Sequence, residues 1–106
     1  MATAARLAHH VFFTLNDNSP AKVTELVSAC EKYLDGHPGV ESFAVGKLNA
    51  DLTRSVNDLG YDVSLHLVFV DRAAHDAYQI APRHNQFIDE QKANWKQVRV
   101  FDSDLA

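Results

Sequence analysis

The stretch YDVSLHLVFV, residues 61 to 70, decides the fold. Val63, Leu65, Leu67 and Phe69 alternate there with Asp62, Ser64, His66 and Val68. A period of two places the first set on one face of a strand and the second on the other. The stretch therefore reads as a half-buried strand, and its neighbours in sequence must supply its sheet partners and its cover. Towards the N-terminus, the polar and aperiodic LNADLTRSVNDLG reads as an exposed loop, and VESFAVGK, residues 40 to 47, reads as a strand before it. Earlier still, Val23, Leu26, Val27, Cys30 and Leu34 recur at helical spacing. Ser19 is placed to cap that helix, and Pro20 sits at its first position, where a missing N–H costs nothing. Gly36 suits the left-handed residue just past its end, and Pro38 prevents continuation. HHVFFTL, residues 9 to 15, is β-branched and aromatic and is stopped by NDNSP, which makes it the first strand.

On the C-terminal side, Asp71 can cap a helix carrying Ala74, Ala77 and Tyr78, which must end or kink before Pro82. A second helical piece holds Phe87, Ile88, Gln91 and Trp95, and VRVFD closes the chain as a short strand. The order is β-α-β-β-α-β, the ferredoxin-like arrangement of an α+β fold. Right-handed crossovers place both helical regions on one face of a four-stranded antiparallel sheet. Both faces of that sheet carry apolar residues. The reading puts Phe12, Phe43, Leu65, Val98 and Val100 on one, and Val11, Phe13, Leu15, Val68 and Phe101 on the other. Helices can cover only one, so the expectation is a homodimer in which two open faces close into an α/β barrel.

Bulk properties narrow the function classes. The 106 residues are one domain, 1 to 106 with a core of about 9 to 102. A net charge of −4 with scattered acids and bases argues against a nucleic-acid partner. No apolar run approaches the roughly 20 residues that span a bilayer, and the N-terminal MATAARLAHHVFF lacks the apolar region of a secretory signal. With one cysteine, Cys30, no intrachain disulfide forms, and a cytoplasmic setting is expected. Phosphate loops, serine nucleophile elbows and nucleotide fingerprints are absent.

The residues able to do chemistry are mostly histidines. There are six, but none falls in an H-x-x-x-H or C-x-x-C frame, so no metal site and no cofactor are expected. His9 and His10 are adjacent on a strand and point to opposite faces. His10 shares a face with Phe12 and Thr14, and that face is expected to lie under the helices. In AYQIAPRHNQF, residues 77 to 87, the proline break can converge Tyr78 and His84. Histidine can act as a general base near neutrality and a tyrosine hydroxyl can donate to a developing oxyanion. The alternative is that Tyr78 packs its ring in the core and His84 serves the following helix.

HHVFFTL, HPGVESFAVGK, GYDVSLHLVF, AYQIAPRHNQF and VRVFD, in that order, together resemble the stress-responsive dimeric α/β-barrel (Dabb) domain family. The likeness runs over roughly residues 9 to 102. It implies a ferredoxin-like protomer that dimerises through its sheet faces. Some plant members are cofactor-free polyketide cyclases that use a tyrosine and a histidine at the end of the second helical region, which here correspond to Tyr78 and His84. The resemblance further implies a pocket between sheet and helices, lined by His10, Phe12, Leu26, Val27, Cys30, Phe43, Leu65, Tyr78, Trp95, Val98 and Val100, suited to a flat, apolar or aromatic molecule. One departure stands out. The family commonly has H-P-x-H, whereas this chain has Ala81-Pro82-Arg83-His84. Two functions follow as expectations: a dimeric domain that binds a small molecule without turnover, or a cofactor-independent cyclase-like or oxygenase-like enzyme with His84 as base and Tyr78 as oxyanion donor.

Overall fold

The computed structural model describes residues 4–106; the first three residues of the segment read above for a secretory signal lie outside them. Strand β1 (Leu7–Leu15) leads into helix α1 (Pro20–Leu34), then strands β2 (Val40–Lys47) and β3 (Val63–Phe69). Helices α2 (Arg72–Gln79) and α3 (Pro82–Gln91) follow, and strand β4 (Trp95–Asp104) ends the chain. The sheet is antiparallel throughout, in the order β2-β3-β1-β4. This is the ferredoxin-like α+β fold expected from the strand and helix order, with the second helical region split in two.

Local chemistry explains the boundaries. Pro20 opens α1 behind Ser19, although the Ser19 side chain makes no capping bond. Gly36 adopts a φ of +77° beyond the end of α1, as its position suggested, and Gly39 a φ of +79°. The Asp71 carboxylate accepts from the Ala74 N–H at 2.8 Å and so caps α2. Ala81 is extended, at φ −64° and ψ 141°, as a residue before proline is driven to be. That single extended residue separates α2 from α3. Trp95 was expected on the last helical piece. Instead, α3 ends at Gln91, a 3-10 turn spans Lys92–Asn94, and Trp95 opens β4.

Leu65, Leu67 and Phe69 of β3 and Leu26, Cys30 and Leu34 of α1 form the centre of the core. Each such side chain contributes about 1.5–3 kcal/mol of burial where it is large and apolar. The alternation of β3 is as its sequence indicated. That of β1 is not. Leu7, His9, Val11, Phe13 and Leu15 are buried, whereas His10, Phe12 and Thr14 are only half-buried. The register pairs Val11 with Val100 and Leu65, and Phe13 with Val98 and Val63. Val11, Phe13 and Leu15 therefore lie under the helices with Leu65, Phe43, Val98 and Val100. Phe12, expected among them, lies on the opposite face with Phe101 and Val68. The inferred parity of β1 was off by one residue, and such a slip exchanges every side chain between faces.

The helices cover their face unevenly. Helix α1 lies over β2 and β3, α2 over β3, and α3 leans on α1. Edge strand β4 is left with Val98 and Val100 partly open, at 39% and 50% exposure. Among the described residues no helix is long and apolar enough to cross a membrane.

Candidate functional site

The uneven cover leaves a cavity of about 420 Å³ between the β1–β4 half of the sheet and the α2–α3 region. Its floor is Val11, Phe13, Leu65, Val98 and Val100. Tyr78, Gln79, His84, Phe87 and Ile88 enclose it from the helices. Trp95 closes one end, its ring 5.1 Å from Phe13 and 5.6 Å from Phe87. A register shift after Thr14 sets Trp95 opposite Leu15 and so brings it to this face. At the other end stand His9, His75 and Asp102. The enclosure is mostly apolar, with its polar groups confined to a few positions, which is the composition of a small-molecule pocket.

The break at Ala81-Pro82 performs the convergence its sequence allowed. Tyr78 occupies the last turn of α2 and His84 the first turn of α3, with ring centroids 4.7 Å apart at 69°. His37 meets Tyr78 edge-on at 5.0 Å, held by a 2.7 Å bond from its Nε2 to the Tyr33 carbonyl. Burial lowers the pKa of His84, and the neighbouring His37, His9 and His75 push it the same way, so its imidazole is neutral near pH 7. Burial raises the Tyr78 phenol well above its ordinary value, with Cys30 adding to the effect, so the hydroxyl stays a donor. Arg83 points away: its guanidinium donates to the Lys32 and Asp35 carbonyls at 2.8 and 3.0 Å, satisfying the C-terminal end of α1. Two buried atoms in the cavity wall, His84 Nδ1 and Trp95 Nε1, have no hydrogen-bond partner among the described residues.

A second polar group was not foreseen. His9 and Asp102 are direct cross-strand partners, with His9 Nδ1 donating to Asp102 Oδ1 at 2.5 Å. Burial lowers the His9 pKa and outweighs the opposing hydrogen bond and charge of Asp102, so the pair is a neutral imidazole on a carboxylate near pH 7. The His75 ring stands 5.3 Å from that of His9.

Of the residues the resemblance put in the pocket, Leu65, Tyr78, His84, Trp95, Val98 and Val100 line this cavity. Leu26 and Cys30 lie deeper, fully buried in the core, and Val27 and Phe43 pack against it. Burial pushes the Cys30 thiol up to about 12, which removes thiolate chemistry at neutral pH. His10 and Phe12 are on the other side of the sheet, where His10 Nδ1 lies 2.8 Å from His66 Nδ1 and Phe12 lies 5.7 Å from Phe101. Their placement under the helices is corrected by the β1 register: His9, not His10, reaches the cavity. His9, His75 and Asp102 come from three separate elements, and no spacing motif connects them. A correct parity for β1 would have found His9, since its odd positions hold four apolar residues of five.

A family model described as the stress responsive A/B barrel domain matches residues 7–105. A search of curated proteins finds no match. Among solved structures, a dimeric ferredoxin-like protein of unknown function from Thermobifida fusca is similar at a TM-score of 0.80 and 20% identity, over 96% of this chain and 92% of that one. A Dabb family protein with a ferredoxin-like fold from Mesorhizobium loti aligns at 0.78 and 20% identity, over 96% and 98% of the two chains. A hydroxynitrile lyase from Passiflora edulis aligns at 0.76 and 16% identity, over 96% and 94%. At these identities the structural likenesses establish the fold alone.

Proposed function

The chain belongs to the stress-responsive A/B barrel domain family, and from that premise we propose that it binds one flat, apolar or aromatic molecule bearing hydroxyl or carbonyl groups in the cavity between sheet and helices. The observation that carries this reading is a predominantly apolar cavity whose lining includes two residues with partnerless buried atoms, His84 Nδ1 and Trp95 Nε1. A buried polar atom without a partner costs about 1–3 kcal/mol, so a small turn of either ring that brings its nitrogen to a polar group of a bound ligand is favoured. Tyr78, protonated beside His84, is the third polar contact. Thermal shift with hydroxylated aromatic probes such as resorcinol-type polyketides tests the reading. Wild type is expected to be stabilised, His84→Ala to lose most of the shift, and Tyr78→Phe to lose part of it. Equal shifts in all three proteins would remove these residues from the site.

A second reading is supported by the protonation states. A neutral His84 4.7 Å, ring to ring, from a protonated Tyr78 is a base beside an oxyanion donor. On this reading the cavity deprotonates a carbon acid and stabilises the enolate, as in an aldol-type cyclisation or a lyase reaction. Exchange of solvent deuterium into a bound 1,3-dicarbonyl probe tests it directly. Exchange is expected in wild type and absent in His84→Ala; identical rates with and without protein would refute it.

The partner reading is a homodimer formed through the open sheet face. Phe12, Tyr61 and Phe101 cluster there with ring centroids 5.0–5.7 Å apart, and Phe101 is 51% exposed. Aromatic surface of this kind is the sort buried between subunits. Sedimentation at micromolar concentration should give twice the 11.8 kDa chain mass, and Phe101→Lys should give the monomer. A wild-type monomer would sink this reading.

A further inference from the structure

His9, His75 and Asp102 each offer one donor atom, and the three atoms lie within 4.8 Å of one another. They come from β1, α2 and β4, and all three line one end of the cavity. We propose that they bind a divalent transition-metal ion, of the Zn²⁺, Fe²⁺ or Co²⁺ class, through two imidazole nitrogens and one carboxylate oxygen.

Three features of the geometry support this. First, the donor set is right: two imidazoles and a carboxylate suit borderline metals rather than Mg²⁺ or Ca²⁺, which prefer oxygen ligands. Second, the spacing is close. Donors on one ion with bonds of about 2.1 Å sit roughly 3–3.5 Å apart. On binding, the 2.5 Å His9–Asp102 contact opens by about half an ångström, the His9 proton passes from Nδ1 to Nε2, and the wider separations, up to 4.8 Å, close to that spacing. The Asp102 side chain, 44% exposed, is free to make that adjustment. Third, His75 is already oriented. Its Nδ1 donates to Asp76 Oδ1 at 2.9 Å, which leaves the lone pair on Nε2. A carboxylate behind a histidine in this way fixes the tautomer of metal-binding imidazoles.

The placement also gives access and open coordination positions. His75 and Asp102 line both the apolar cavity and a polar recess with Arg72, Ser103 and Asp104. An ion can enter from that recess, and three protein ligands leave at least one position open, as in catalytic rather than structural sites. His84 and Tyr78 line the same cavity, so a ligand bound there could also reach the ion.

Co²⁺ alone is the probe, added to untagged, chelator-treated protein and followed by its visible d–d absorption, with Zn²⁺ titrated in parallel by calorimetry. One equivalent per chain is expected. His75→Ala and Asp102→Asn should each weaken binding by a hundredfold or more, and Asp76→Ala, which releases His75 and also the Arg72 guanidinium it pairs with at 2.9 Å, by about 10- to 100-fold. His66→Ala, on the opposite sheet face, should leave binding unchanged. Circular dichroism of each variant separates lost ligands from lost fold, and His75→Gln serves if His75→Ala unfolds. Substoichiometric binding, or equal affinity in wild type and the folded His75 variant, would overturn the proposal. The titration contains no organic ligand, so its outcome is independent of the pocket reading above.

Discussion

Tyr78 and His84 owe their properties to burial more than to each other. Both rings are enclosed, and enclosure disfavours the charged form of either group. His84 is thereby a base without a proton, and Tyr78 an acid that keeps its own. The same depression affects His9 and His66, in each case with burial as the largest cause. The consequence for stability has a definite sign. Between the lowered folded-state pKa values and the ordinary 6.5, the unfolded chain binds more protons than the folded one. The histidine contribution is therefore complete above pH 6.5 and is lost as pH falls through the folded-state values. The melting temperature is expected to fall between pH 7 and pH 5, and His84→Gln, which does not titrate, should flatten part of that slope. A wild-type melting temperature that is constant or rises over this range would contradict the assignment. Ala81 adds no charge at this break, where an imidazole beside Pro82 would add one more titrating group.

At the scale of elements, the α2–α3 break and the β1 register together decide which side chains share the cavity. The first was legible in sequence. Pro82 forbids a continuous helix, the residue before it goes extended, and Tyr78 and His84 then meet across the corner. The second was not. HHVFFTL carries apolar side chains at both parities, because the structure gives both faces of β1 something to contact, so alternation alone cannot choose between them. Asp102 and His75 were illegible for a different reason. Their approach to His9 depends on β4 pairing with β1 and on α2 crossing β3, contacts that no short spacing records. Gly39 shows how tightly α2 is seated. A Cβ there would collide with that of Ala74, and the φ of +79° already disfavours any other residue. Gly39→Ala should cost roughly 2–4 kcal/mol in urea unfolding, combining backbone strain with overpacking. Gly36 has open space around it and a similar φ, so Gly36→Ala should cost only the backbone share, about 1–2 kcal/mol. Equal costs at the two positions would mean that α2 yields, and that the helical wall of the cavity is softer than its packing implies.

At the scale of the molecule, one sheet face is occupied by helices and cavity while the other presents aromatic rings to solvent. That asymmetry is why an uncovered apolar sheet face was readable from sequence even where the face assignment of individual β1 residues was not: either parity leaves apolar surface uncovered. Two histidines sit in the middle of the open face. His10 Nδ1 and His66 Nδ1 are 2.8 Å apart, and His66 Nε2 lies 3.0 Å from Ser64 Oγ. Such a contact works only if one Nδ1 donates and the other accepts, so at least one ring must be neutral. Phe12 and Phe101 flank the pair, with Arg99 and Asp58 bonded to each other at 3.0 Å further along the face. Burial, then the charge of His10, lowers the His66 pKa. A second subunit would bury the pair further and strengthen that depression. Protonating both rings sets two N–H groups against each other in a closed interface, so acid should act on assembly before it acts on the fold. Sedimentation at pH 7.5 and pH 5.5 is expected to show the dimer weakening at least tenfold on acidification, while circular dichroism remains that of the folded chain. His66→Phe, which keeps the aromatic surface and removes the charge, should hold the dimer at both pH values. An acid-stable wild-type dimer, or equal acid sensitivity in His66→Phe, would place the titrating group elsewhere.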